Sequence, residues 1–125
     1  MSIKVGTDIM EIERFRKVLQ RRSRLKEKLF TLDEVAYCES KADPAPHFAA
    51  RFCAKEAFSK ALGTGVSMFS MSEVEVLRNE KGKPGLKLAG RAKKAAESFA
   101  VTGMDLSMSH SDLFAIAVVV LETED

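Results

Sequence analysis

Apolar residues recur along this chain with three different periods, and each period predicts a different kind of element. Residues Ser2–Asp8 alternate, with Ile3 and Val5 set between polar neighbours, and read as a short strand. Gly6 interrupts the alternation, which points to a bend or to the close approach of another element. From Glu11 the period lengthens: Ile12, Phe15, Val18, Leu19, Leu25 and Leu29 share one helical stripe, with a break placed near Arg22–Arg24. Thr31 to Glu34 has the form of a capping box, opening a helix that runs to about Ser40. Asp43-Pro44-Ala45-Pro46 then forces a break.

The stretch from about Ala45 to Leu62 differs from all of these. Phe48, Ala50, Phe52, Ala54, Ala57, Phe58, Ala61 and Leu62 leave no polar side at helical pitch, which is the pattern of a buried helix. Gly63 is placed to cap it, and Gly63-Thr64-Gly65 continues as a loop whose backbone can approach a ligand. Glu73–Leu77 alternates as a strand and pairs across the turn Asn79 to Pro84 with Gly85–Leu88. A short helix from Gly90 to Phe99 turns Ala92, Ala95, Ala96 and Phe99 inward, and strands Met104–Ser109 and Phe114–Leu121 close the chain. The last is continuously apolar, as expected of a strand buried on both faces or lying at a subunit contact. At 125 residues the chain is one domain by length, residues 1–125, with enough apolar content for a core.

Composition narrows the function. The net charge is only +2, so no global nucleic-acid footprint exists. The charge is uneven, however: between Arg14 and Lys28 there are eight basic residues and one acid, Glu27. Arg14, Lys17, Arg21, Arg24 and Lys28 form a basic stripe, either a solvated face or a docking face for something anionic. Cys38 and Cys53 lack metal or redox spacing and read as reduced core thiols. No apolar run approaches membrane-spanning length and the first residues do not read as a secretion signal, so a soluble cytoplasmic protein is expected.

Three polar features stand in apolar or backbone-permissive surroundings: Asp8, the Glu56/Lys60 pair, and Ser109-His110. Each alone has an ordinary reading, as a helix cap, a helix salt bridge and an exposed histidine. Together they suit a different chemistry. Two carboxylates from separate elements, without a cluster of Cys or His, match a hard cation such as Mg²⁺ held with the help of substrate phosphates. Lys60 would then face a phosphate oxygen as a point charge. Lys55 lies about 100° around the helix from Glu56 and should not share the cation.

Gly6-Thr7-Asp8-Ile9-Met10-Glu11-Ile12 resembles the G-x-D-(I/V)-x-E-I motif of the 4′-phosphopantetheinyl transferases. The run from Arg51 to Gly65, RFCAKEAFSKALGTG, resembles their R-(F/W)-x-x-K-E-A-x-x-K motif, and Gly82-Lys83-Pro84 and Leu106 to His110 follow in the family's order. The length is similar to that of the holo-(acyl-carrier-protein) synthase branch, and the resemblance implies an α+β fold, a small antiparallel sheet packed against helices. The resemblance implies transfer of 4′-phosphopantetheine from coenzyme A to a serine of apo acyl carrier protein, releasing adenosine 3′,5′-bisphosphate, in support of fatty acid biosynthesis. It implies Mg²⁺ on Asp8 and Glu56, with Glu56 and Lys60 as catalytic residues. Coenzyme A would be held by Lys60, Gly63, Gly65, Lys83, Pro84, Ser109 and His110. Some larger relatives carry a third metal-binding carboxylate where this chain has Met10, a place water would fill. The resemblance turns the basic stripe into a carrier-protein docking face, centred on Arg14, Arg21 and Arg24, and implies a homotrimer with active sites between subunits. Two rivals are a non-enzymatic module binding an anionic partner through the basic helix and a different Mg²⁺-dependent nucleotide-handling enzyme. The first leaves Asp8, Glu56 and Lys60 without a role.

Overall fold

The computed structural model describes residues 1–64 and 68–125. Three strands form one antiparallel sheet of order β1-β5-β4: β1 (Ser2–Glu11), β4 (Val101–His110) and β5 (Phe114–Thr123). A separate hairpin joins β2 (Val74–Arg78) to β3 (Pro84–Leu88). Between β1 and the hairpin come α1 (Ile12–Arg21), α2 (Leu25–Leu29), α3 (Leu32–Glu39) and α4 (Pro44–Leu62), and α5 (Gly90–Ser98) precedes β4.

β1 is longer than its alternation suggests, because pairing continues as far as Glu11 opposite Phe114 and the Ile12 amide donates to the Leu113 carbonyl (2.9 Å). The amphipathic helix therefore starts at Ile12, and it breaks at Arg22–Arg24 as the sequence predicts. The capping box of α3 is formed: the Glu34 amide donates to Thr31 Oγ1 (3.2 Å) and the Thr31 amide donates to Glu34 Oε1 (2.9 Å). Gly63 takes φ 80° at the end of α4, and its amide donates to the carbonyls of Ser59 and Lys60. Phe99 departs from expectation. It sits one residue beyond α5 at 37 % exposure, outside the row Ala92, Ala95 and Ala96 that the helix buries.

α4 lies against the inner face of the sheet, where Ala115, Ala117, Val119 and Leu121 of β5 are at most 1 % exposed. Its own contribution is small residues (Ala49, Ala50, Ala54, Ala57, Ala61) flanking Phe48 and Phe58. The two phenylalanines each gain roughly 1.5–3 kcal/mol from burial, while the alanines bring helix and sheet close. The approach is tightest at Gly6, where a Cβ would lie 1.9 Å from the Ala57 carbonyl oxygen and 2.6 Å from the Ala61 nitrogen. Gly6 is therefore the close-approach glycine rather than a bend.

The apolar run of β5 is buried on one face only. Residues 115, 117, 119, 121 and 123 face α4, while Phe114 and Ile116 are exposed beside Ile3, Val5 and Ile9 of β1. Of the two readings, burial on both faces is excluded within one chain. The outer sheet face is an open apolar surface. Among the described residues, no helix is long and apolar enough to cross a membrane.

Candidate active site

Alternation along β1 puts Asp8 opposite Ala117 on the face that meets α4. One helical turn of α4 separates Glu56 from Lys60, and both reach the same gap. Lys60 does not pair with its helix neighbour. Its ammonium donates to Asp8 Oδ1 (2.9 Å) and to the Thr7 carbonyl (3.1 Å), and the pair is half open, with the side chains 54 % and 16 % exposed. The hydrogen bond to Asp8 raises the Lys60 pKa, so the group is a fixed positive charge. Burial, reinforced by the charge of Asp8 and only partly offset by Lys60, pushes the Glu56 carboxyl above the usual range. Two carboxylates thus share one cation, a local shortage of positive charge. Beneath them Cys53 is a buried thiol whose pKa is pushed up to about 12 by burial and then by Asp8; it is a neutral neighbour rather than a soft ligand.

Lys55 is kept out of this gap, as its position around the helix predicts. It is fully buried on the other flank, donating to Glu34 Oε1 (2.8 Å) and to the carbonyls of Met71 (3.0 Å) and Val74. Glu34 accepts in addition from the Val76 amide (2.9 Å), so this carboxylate joins α3, α4 and β2. Burial lowers the Lys55 pKa, and Glu34 opposes that shift.

A second polar cluster escaped the sequence reading. Arg51 of α4 is 2 % exposed, its Nη1 donates to the His47 carbonyl (3.3 Å), and its Nε has no partner among the described residues. Its guanidinium lies 4.3 Å from the ring centre of Tyr37 on α3, with Lys41 at 4.6 Å and Arg78 of β2 at 5.6 Å from the same ring. The His47 ring meets Tyr37 edge-on at 6.3 Å and His110 at 5.6 Å. Burial pushes the Tyr37 phenol up, yet Arg78, Lys41 and Arg51 outweigh it and hold the group below its ordinary value. Burial lowers the His47 pKa, as do His110 and Arg51. The signal was present: Arg51 breaks the apolar rule of α4 as plainly as Glu56 does.

The remaining expected residues are dispersed. His110 joins the second cluster, but Ser109 alternates to the opposite sheet face, paired with Ile116. Lys83 donates to Asp105 Oδ1 (2.7 Å), and with Pro84 it edges a hollow of about 320 Å³ lined by Ser107, Val118 and Val120. Lys83, Pro84 and Ser109 therefore lie toward the outer sheet face, away from their own Asp8 and Glu56. Gly63 caps α4 one turn beyond Lys60, and Gly65 lies outside the described residues. Arg14, Arg21 and Arg24 are all exposed. Arg14 borders an apolar hollow of about 560 Å³ lined by Ile9, Met10, Phe15, Val18 and Phe52, whereas Arg21 and Arg24 border a separate basic one.

Comparison with known proteins shows the family and the fold. The protein-family model described as 4′-phosphopantetheinyl transferase superfamily matches residues 4–119. The chain is 43 % identical over 120 residues to a protein of Caldanaerobacter subterraneus named holo-[acyl-carrier-protein] synthase, covering 96 % of this chain and 94 % of the relative. Among solved structures it resembles a "Chronobacterium ammoniagenes ACPS-CoA complex" at TM-score 0.90 and 29 % identity, each chain fully covered. It also resembles a holo-(acyl-carrier-protein) synthase from Bacillus anthracis in complex with CoA (3′,5′-ADP), at TM-score 0.80 and 34 % identity, over 97 % of this chain and 96 % of that one.

Proposed function

The chain belongs to the 4′-phosphopantetheinyl transferase superfamily, and we propose that it moves 4′-phosphopantetheine from coenzyme A onto a serine of apo acyl carrier protein. The observation that carries this reading is the convergence of Asp8, Glu56 and Lys60 between β1 and α4. The serine oxygen attacks the phosphorus that bears the pantetheine arm. The bond to the bridging oxygen of the diphosphate breaks, and adenosine 3′,5′-bisphosphate leaves with that oxygen. Such a transfer needs positioning and charge stabilisation more than covalent help.

Asp8 and Glu56 fit a divalent hard cation: both offer oxygen, they come from separate elements, and together they exceed the one positive charge beside them. Mg²⁺ held there would neutralise the diphosphate, in keeping with its preference for one or two carboxylates plus substrate oxygens. With a cation on Asp8, the half-exposed Lys60 ammonium would be free to face a phosphate oxygen at the leaving group. Arg51, His47 and His110 would take a second phosphate of the same molecule. Among the described residues Arg51 Nε has no partner and no acid pairs with the guanidinium, which supports an anion in that cluster.

Arg14 beside the apolar hollow, with Arg21 and Arg24 at the neighbouring basic one, suits an acidic carrier that also presents a hydrophobic side chain. The exposed Ile3, Val5, Ile9, Phe114 and Ile116 suit burial against further copies of the chain, with a homotrimer as the assembly. Assembly would also give Lys83, Pro84 and Ser109 a role, since they would serve a neighbour's site rather than their own. The setting we propose is the cytoplasm, in support of fatty acid biosynthesis.

The direct test is incubation with coenzyme A, Mg²⁺ and an apo carrier protein, followed by intact-mass measurement. A gain of one phosphopantetheine is expected, and no gain with any divalent metal would overturn the reading.

A further inference from the structure

Three cations from three separate stretches of chain crowd one aromatic ring: Lys41 after α3, Arg51 on α4 and Arg78 at the end of β2 surround Tyr37. The nearby acids are spent elsewhere. Asp43 receives both Arg16 Nη1 (2.6 Å) and Arg16 Nη2 (3.1 Å), Glu39 receives Lys26 (3.0 Å), and Glu34 receives Lys55. Like charges brought together without an acid need another source of attraction, and the electron-rich face of a phenol ring provides one. Arg51 is held by burial and by the His47 carbonyl, and Arg78 by the Gly82 carbonyl (2.6 Å). Tyr37 is the group the three have in common.

We infer that Tyr37 is a positioning residue, whose ring gathers Lys41, Arg51 and Arg78 into one phosphate-binding patch and so sets the enzyme's preference for coenzyme A over 3′-dephospho-coenzyme A. The inference rests on the reading above that this cluster takes a phosphate of coenzyme A. The ring need not touch substrate. It fixes the spacing of Lys41 and Arg78 around the buried Arg51.

The test compares transfer from coenzyme A and from 3′-dephospho-coenzyme A by wild type, Tyr37→Phe and Tyr37→Leu. Tyr37→Leu should raise KM for coenzyme A about ten-fold, the scale of one or two lost cation–π contacts, with kcat and KM for the dephospho form within about two-fold. Tyr37→Phe keeps the ring and should behave as wild type. Tyr37→pentafluorophenylalanine keeps the ring's shape but reverses its charge distribution. It should act like Tyr37→Leu while melting like Tyr37→Phe, so the test survives if Tyr37→Leu does not fold. If wild type prefers coenzyme A and the pentafluoro variant keeps that preference, the role of Tyr37 is overturned and the phosphate reading stands. Equal rises in KM for both nucleotides would mark a merely structural residue and overturn it too. A wild type that does not distinguish the two nucleotides overturns both.

Discussion

Replacing Gly6 by alanine adds one methyl group at the point where β1 and α4 come closest. The new carbon would lie 1.9 Å from the Ala57 carbonyl oxygen and 2.6 Å from the Ala61 nitrogen, against a floor of 3.0 Å that real Cβ contacts essentially never cross. Both opposing atoms are backbone, so no rotamer change relieves the clash; strand and helix must part by at least about 1 Å. Overpacking of this kind costs about 1–3 kcal/mol, and the rigidity of both partners puts Gly6→Ala at the upper end. For a domain of this size that is a fall in Tm on the order of 10 °C. Function should suffer more than stability, because Asp8 is two residues along the same strand while Glu56 and Lys60 flank the clash on α4. A displacement of about 1 Å between catalytic groups costs on the order of a hundred-fold in rate. Gly85→Ala is the control: it lies in β3 with no atom within 4 Å of the added carbon and should melt and react as wild type. Thermal unfolding by circular dichroism and the carrier-protein mass assay read both quantities. A Gly6→Ala protein with unchanged Tm and unchanged rate would refute the claim that this contact sets the site.

Glu56→Gln should abolish most transfer while the fold survives, and Mg²⁺ should raise the Tm of wild type but not of this variant. Without metal at neutral pH the variant should be at least as stable as wild type. The sign follows from the raised Glu56 pKa: the folded state keeps its proton as pH climbs past the unfolded value, so ionisation there costs stability, and the difference vanishes in acid. His47 works in the opposite direction, its lowered pKa making protonation of the free enzyme unfavourable as pH falls below about 6.5. A bound phosphate reverses that cost, so coenzyme A should stabilise the enzyme more near pH 6.5 than near pH 8, and His47→Gln should flatten the difference. Glu34→Leu leaves Lys55 charged and buried without its partner, a loss of about 3–5 kcal/mol in chemical denaturation. Lys55→Met with Glu34→Leu should regain much of it while still transferring slowly. Arg14→Glu should raise KM for the carrier far more than for coenzyme A; equal effects would remove Arg14 from the docking face.

Most of the fold was legible in the sequence because its signals are local. The capping box at Thr31, the Asp43–Pro46 break and Gly63 bound two helices without help from tertiary structure. What misled was non-local. Glu11 is strand because Phe114, more than a hundred residues away, pairs with it. The core of the candidate site was legible through a rule about burial: charges on an all-apolar helix need a reason. Applied to Glu56 and Lys60, the rule found the gap beside Asp8. It was not applied to Arg51, whose cluster draws Tyr37 from α3, Arg78 from β2 and His110 from β4, and no spacing in the sequence brings these together. The split of Ser109 from His110 follows from strand alternation alone. It shows that one short motif can serve both faces of a sheet.

The four charges of α4 share out two tasks by their position around the helix. Taking Arg51 as origin, Lys55 lies about 40° away and Glu56 and Lys60 about 140° and 180° away. One flank turns Arg51 and Lys55 toward α3 and β2, and the other turns Glu56 and Lys60 toward β1. An amphipathic helix has its rotation fixed by its apolar stripe. α4 is apolar nearly all round, so its pattern alone does not exclude a turn of one residue. Such a turn, about 100°, would carry Glu56 away from Asp8. The buried bond from Lys55 to Glu34 blocks it, because Lys55 has three acceptors on one flank and none on any other side among the described residues. A hydrophobic pair of the same volume would stabilise the core comparably and leave the rotation undetermined. The adjacent Lys55 and Glu56 are therefore complementary: the first fixes the angle at which α4 sits, and that angle delivers the second to the gap beside Asp8.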